Sequence, residues 1–98
     1  MFLSTCSNYG ISDPGTLADE TTALKPLSHY ARTKVEVERA CLAYRGSTAV
    51  TVLRLGTICG LSARMRFDLL ISEMAVAAAT GRRIEIYKPD AWRPFLHV

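Results

Sequence analysis

The eight residues Thr48-Ala-Val-Thr-Val-Leu-Arg-Leu55 leave this chain few folds to choose from. They are β-branched and almost continuously apolar, the composition of a strand covered on both faces, as in parallel sheets. A parallel partner requires a crossover, and the segment upstream supplies one. From Ser28 or His29 the sequence takes on helical periodicity and reaches Gly46, which fits a C-terminal cap position. Tyr30, Lys34, Val37 and Cys41 make one stripe, flanked by Ala31, Val35 and Leu42 and turned toward the body of the protein. Arg32, Glu36 and Arg39 make a solvated face with favourable pairs at i+3 and i+4. Before that, Met1-Phe2-Leu3 reads as the end of a strand that opens into the polar run Ser4 to Gly10. Strand, helix and strand in this order form a right-handed crossover unit, whose ligands gather at the carboxyl ends of the strands. Thr5 and the Gly56-Thr57 turn both fall at such ends.

The remaining segments are read more coarsely. Residues 11 to 28 carry turn formers at Asp13-Pro14-Gly15 and Lys25-Pro26 and suggest a surface loop. Gly56 to Arg66 reads as a loop and Phe67 to Thr80 as a second helix, with Phe67, Leu70, Ile71, Met74 and Ala78 inward, Asp68 in its first turn and Gly81 just past its end. Arg83 to Tyr87 alternates like a half-exposed strand, and Lys88-Pro89-Asp90 turns the chain into the apolar run Trp92 to Val98.

Composition narrows the function classes. No apolar run approaches the roughly 18 residues that cross a bilayer, and Met1-Phe2-Leu3 is too short for a signal-peptide core, so a cytoplasmic protein with no membrane partner is expected. Cys6, Cys41 and Cys59 are odd in number and contain no Cys-x-x-Cys pair, which supports neither a disulfide framework nor a metal site. The net charge of +3 owes much to Arg64, Arg66, Arg82, Arg83 and Arg93. These are scattered and lack aromatic interleaving, a pattern that fits a solvated surface or a small anionic ligand better than nucleic acid.

Tyr30 and Lys34 carry the chemistry. Residues four apart in a helix share a face, with Cβ atoms roughly 5–6 Å apart, so the ammonium reaches the neighbourhood of the phenol. A cation about 4 Å away favours the phenolate by roughly 4 kcal/mol at an effective dielectric near 20, which makes the phenol a usable general acid and base near neutral pH. Chance placement of four tyrosines and three lysines gives about 0.1 such pairs, most of them a tyrosine at a helix edge beside a solvated lysine. The weight of the pair therefore comes from its surroundings.

Those surroundings resemble a known family. Leu3-Ser4-Thr5-x-x-x-Tyr9-Gly10, Tyr30-Ala31-x-Thr33-Lys34, Leu53-Arg54-Leu55-Gly56-Thr57-Ile58-Cys59-Gly60, Arg64-Met65-Arg66-Phe67-Asp68 and Trp92 to Val98 are similar, in order and spacing, to the middle portion of the NAD-dependent epimerases/dehydratases, the extended short-chain dehydrogenase/reductase group that acts on nucleotide sugars. The resemblance implies an α/β fold, a partial Rossmann-like doubly wound parallel sheet lacking its N-terminal nucleotide-binding half. Residues 1–60 would be the C-terminal part of that NAD(P)-binding domain and 61–98 the start of the substrate-binding region. It implies Tyr30 as acid/base, Lys34 as the cation that favours its ionised form and binds the nicotinamide ribose, and Thr5 as the group that hydrogen-bonds the same substrate oxygen. Ser4 and Thr57 would contact the cofactor, NAD or NADP, and Arg93 the pyrophosphate of a nucleotide-sugar or other small hydroxyl substrate. A planar five-donor guanidinium suits that task. A homodimer is the assembly expected of the full-length protein.

Departures from the family pattern refine the expectation. Dehydratases carry Asp-Glu after the threonine, where this chain has Cys6-Ser7, so water elimination is disfavoured. Thr57 stands where many members have asparagine, Cys59 where they have tyrosine, and Pro94 where an aspartate often follows the arginine. The Gly-x-x-Gly-x-x-Gly turn that would hold the dinucleotide phosphates does not occur in these residues. The chain therefore reads as a fragment of an NAD(P)-dependent epimerase, inactive alone, with Met1 an internal start. The competing reading is a non-catalytic remnant or interaction module.

Overall fold

The computed structural model describes residues 1–13 and 15–98; the turn expected at Asp13-Pro14-Gly15 thus falls partly outside the described residues. The chain divides into two compact units, Met1–Gly56 and Thr57–Val98, each with one parallel pair of strands. Among the described residues, no helix is long and apolar enough to cross a membrane.

The first unit is the expected strand, helix and strand. β1 (Phe2–Thr5) runs parallel to β2 (Val52–Leu55), in the register Phe2 with Val52 through Thr5 with Leu55. Helix α1 (His29–Ala43) connects them and packs on β1. Ser28 caps α1, its hydroxyl accepting from the Ala31 N–H at 3.1 Å, a contact of the kind that stabilises a helix by about 1 kcal/mol. The helix stops at Ala43, three residues short of the expected glycine cap. Arg45 accounts for the early stop: its Nη1 donates to the carbonyls of Leu42 and Tyr44, supplying by a cationic side chain what a left-handed glycine would otherwise supply.

Two expectations for this unit are corrected. The polar run after Leu3 is not all loop, because Ser4 and Thr5 complete β1 with buried side chains and only Cys6–Tyr9 turns, as one 3-10 segment. The strand continues because their hydroxyls find partners inside the unit. The second correction concerns β2, which is half the length of the run Thr48–Leu55 and is not covered on both faces. Leu53 and its register partner Leu3 are both exposed on the side of the sheet away from α1.

The loop from 11 to 28 contains no helix or strand among its described residues, as its turn formers imply. It is held at two places, within itself at Asp19 and against the 3-10 segment at Lys25. Asp19 Oδ1 accepts from the N–H and hydroxyl groups of Thr21 and Thr22 at 2.7–3.0 Å, and the Lys25 N–H donates to Asn8 O at 2.9 Å. Gly10, at φ 75°, lies against that second tether; a Cβ there would come within 2.2 Å of the Lys25 carbonyl oxygen.

In the second unit β3 (Thr57–Cys59) pairs in parallel with β4 (Phe95–His97), joined through helix α2 (Leu70–Ala79). Thr57 to Cys59 is therefore strand, not loop, because the apolar run at 95–97 gives it a partner. The Arg83–Tyr87 segment forms no strand. It finds no partner among the described residues, and Ile84, Ile86 and Tyr87 stay exposed. α2 begins three residues later than its apolar pattern suggests: Asp68 is not in its first turn but forked to Arg66, Nε to Oδ1 at 2.8 Å and Nη2 to Oδ2 at 2.5 Å. Ala77 is its buried residue and Ser72, Met74 and Val76 are half-buried, whereas Phe67, Leu70, Ile71 and Ala78 are exposed. At the other end Gly81, at φ 66°, donates to Ala78 O while Arg82 donates to Ala77 O, the paired bonds of a left-handed glycine cap.

Candidate active site

The parallel register sets the carboxyl ends of β1 and β2 side by side, Thr5 level with Leu55, in the place where strand-helix-strand units collect ligands. Helix α1 brings its first two turns to this unit's β1. Lys34 is half-buried, and its Nζ donates to the Leu3 carbonyl oxygen at 2.9 Å. The same ammonium lies 4.9 Å from the centroid of the Phe2 ring and 5.7 Å from that of Tyr30, both within cation–π range. Of its three N–H groups one serves Leu3, leaving two donors for a ligand. Tyr30 stands one turn earlier and is 58 % exposed, so its hydroxyl is accessible.

Thr5 is buried at the end of β1, and its Oγ1 accepts from the Ser7 N–H at 3.2 Å as the cap of the 3-10 segment. Its hydroxyl proton is not used in that bond and remains free to donate. Ser4 points the other way, into the unit: its Oγ donates to Glu38 Oε2 at 2.8 Å and accepts from Asn8 Nδ2 at 3.0 Å. Thr57 and Arg93 lie together in the second unit. The Thr57 N–H donates to Pro94 O at 2.9 Å, next to Arg93, whose side chain is exposed.

The stripe that docks α1 is centred one residue away from the expected one. Ala31, Val35 and Glu38 are buried, while Tyr30 and Val37 are exposed. Glu38 is the surprise, a carboxylate only 2 % exposed. Ionised carboxylates are seldom buried without several donors, and this one has them. Besides Ser4, Asn8 Nδ2 donates to Oε2 at 3.2 Å, and Arg54 donates from Nε to Oε1 at 3.0 Å and again from Nη2. Arg54 Nη1 also reaches the Tyr9 hydroxyl at 2.9 Å, with the guanidinium 5.1 Å from that ring's centroid. These bonds, those from Arg54 foremost, hold the Glu38 carboxyl below its ordinary value of 4.5 against the desolvation that pushes it up, and Glu38 in turn raises the guanidinium. Asn8 is fully buried, and its Oδ1 has no partner among the described residues.

Sequence reading missed this cluster, although a signal for it existed. Glu38 falls at i+7 from Ala31 and i+3 from Val35, on the docking stripe, and Arg54 interrupts an otherwise apolar strand. Opposite charges at core positions of neighbouring elements point to a buried pair.

The residues present fit one end of a dinucleotide. Two free ammonium donors beside an accessible phenol suit a ribose diol and a reacting hydroxyl. The phosphate end has no counterpart among the described residues. Gly10 backs onto the Lys25 carbonyl, which leaves no room for a phosphate against its Cα, and the Ala31 and Arg32 N–H groups at the start of α1 are already taken by Ser28. The family model described as NAD dependent epimerase/dehydratase matches residues 1–98. No solved structure matches the chain.

Proposed function

The chain belongs to the NAD dependent epimerase/dehydratase family, and we propose that it carries the acid/base half of a nucleotide-sugar epimerase or related oxidoreductase, on what would be part of a doubly wound Rossmann-like sheet. One observation carries this reading: Lys34 is anchored to the Leu3 carbonyl one helical turn from an accessible tyrosine, so a fixed cation stands beside a reachable phenol.

The chemistry follows from that asymmetry. Oxidation of a carbinol requires its hydroxyl proton to leave, and Tyr30 is the group placed to take it and return it. Lys34 holds a fixed positive charge one turn from the phenol and turns its two free donors to the nicotinamide ribose. Thr5 donates its free hydroxyl proton to the reacting oxygen and fixes its position relative to the phenol. Bound NAD or NADP would supply the acceptor for the hydrogen and electron pair leaving the carbon. Arg93 offers five donors to a substrate pyrophosphate, with Thr57 contributing on the cofactor side. Cys6 and Ser7 supply no acid/base pair for water elimination, so epimerisation or simple oxidation is favoured over dehydration. The dinucleotide phosphates require residues beyond these 98, and the chain alone is expected to be inactive.

A second reading, a non-catalytic interaction module, is favoured by the small core: Ala31, Val35 and Ala77 are the buried apolar residues among those described. One experiment separates the two. In the enzyme carrying this segment, Tyr30→Phe is expected to abolish turnover, by a thousandfold or more on the order of lost general acid/base catalysis, while calorimetric NAD affinity changes little. Equal turnover in the Phe variant would refute the proposed base.

A further inference from the structure

Resting on the oxidoreductase reading, we infer that Glu38 is a positioning residue: held by Arg54 and Ser4, it fixes α1 along β1 so that Lys34 and Tyr30 are presented at the strand's end. Lys34 and Glu38 are one turn apart on the helix, and their contacts fall on successive residues of the strand. Lys34 Nζ takes the Leu3 carbonyl, and Glu38 Oε2 takes the Ser4 hydroxyl. Sliding the helix by one residue moves it about 1.5 Å, beyond what a hydrogen bond tolerates, so neither contact survives a slip. The apolar contacts discriminate far less. Ala31 and Val35 present one methyl and one small branched side chain to the sheet, and such surfaces slide at little cost.

Arg54 locks the arrangement from a second strand. Its guanidinium grips the same carboxylate from β2 while Asn8 closes it from the 3-10 segment, so β1, β2 and the turn all converge on one side chain of α1. Stability alone does not call for a buried ion pair, because apolar residues of similar volume commonly serve as well or better. What apolar residues do not supply is a directional bond that sets register. Ser4 thus serves the site from behind, through Glu38.

The test uses the full-length enzyme labelled with 15N-lysine, in wild type and in the Glu38→Leu/Arg54→Met and Ser4→Ala variants. The first exchanges the pair for apolar residues, and the second removes the strand's grip while leaving the pair intact. Two signals are read, the hydrogen-bonded 15Nζ–H cross-peak of Lys34, assigned by its loss in Lys34→Met, and kcat against KM for the cofactor. Folded variants are expected to lose or broaden the Lys34 cross-peak and to lose kcat about ten- to a hundredfold, the cost of roughly 1 Å of misplacement, with KM for the cofactor rising as the ribose loses its Lys34 donors. Retention of both the cross-peak and kcat in either folded variant overturns the positioning role. Ser4→Ala, lacking only one hydroxyl, decides the matter where the double variant does not fold. A wild-type enzyme without turnover would sink the oxidoreductase reading, yet the cross-peak would still decide whether Glu38 sets the place of Lys34.

Discussion

Replacing Glu38 by Gln removes the charge while keeping the shape, and the structure specifies what that does to α1. The amide oxygen can still accept from Arg54, but the amide nitrogen, a donor, now faces the positions from which Ser4 and Asn8 donated. Asn8 can relieve half of the conflict by turning its amide, since its Oδ1 has no other partner. What is lost is mainly charge assistance in the bonds to Arg54, on the order of 2 kcal/mol, or roughly thirtyfold in the opening equilibrium of α1. The loss must depend on pH. The carboxyl sits below its ordinary value of 4.5 in the folded chain, so its contribution is fully present above that value and disappears as pH falls through the folded one. Within that window wild type loses up to about 1.4 kcal/mol per pH unit through this group, and Glu38→Gln loses none. Amide exchange of α1, measured from pH 7 down to about pH 2.5 and corrected for intrinsic rates, is expected to show a gap between the two proteins that closes as acid is added. Asp19 and Asp68, whose carboxyls are also lowered, the latter to about 2 by Arg66, titrate equally in both and cancel. A gap that stays constant over the whole range would mean that the Glu38 carboxyl holds its proton equally well in the folded and opened states, and the charge-stabilised buried pair would have to be abandoned.

Two further changes probe how the loop and the helix are held. Gly10→Ala forces a Cβ against the Lys25 carbonyl at a positive φ, so the tether of the 11–28 loop should fail at a cost on the order of 1–3 kcal/mol, visible as faster proteolytic cleavage within that loop; an unchanged cleavage rate would contradict the geometry at Gly10. Ser28→Ala removes the α1 cap and should cost about 1 kcal/mol of helix stability, read as roughly fivefold faster exchange confined to the first turn, which carries Tyr30.

Local patterns were legible wherever the deciding interaction is local. Ser28 begins α1 and Gly81 follows α2, because a cap is a contact between residues three or four apart. The parallel pairing of β1 with β2 was legible from the alternation of strand and helix. What escaped depends on partners far along the chain. Thr57–Cys59 is a strand only because Phe95–His97 lies beside it, and Arg83–Tyr87, with a better alternating pattern, is none for want of a partner. Gly46 lost the cap position to a side chain, Arg45, that composition rules do not rank above glycine. The docking face of α1 was misplaced by one residue because Glu38 counts as polar in any periodicity, and its burial follows from donors on other elements, Ser4, Asn8 and Arg54, the nearest of them sixteen residues away.

That misplacement bears on how the proposed site would function. A face centred on Tyr30 and Lys34 would have buried both, and a buried phenol cannot meet a substrate. The observed rotation puts Lys34 at the boundary and Tyr30 outside it. For general acid/base chemistry the division is useful: the cation must not swing, and the group that exchanges the proton must be reachable. Lys34 is restrained by a carbonyl and two aromatic rings, while Tyr30 keeps its hydroxyl in the open. The small residues Ala31 and Val35 let α1 approach β1 closely, but they have little shape with which to choose a register. Choice therefore falls to directional bonds, and Glu38 is the buried side chain on this helix that makes them. On this account the helix is held by charge so that a turn of it can be left uncovered, and the polar cluster is the structural condition for the accessible base proposed at Tyr30.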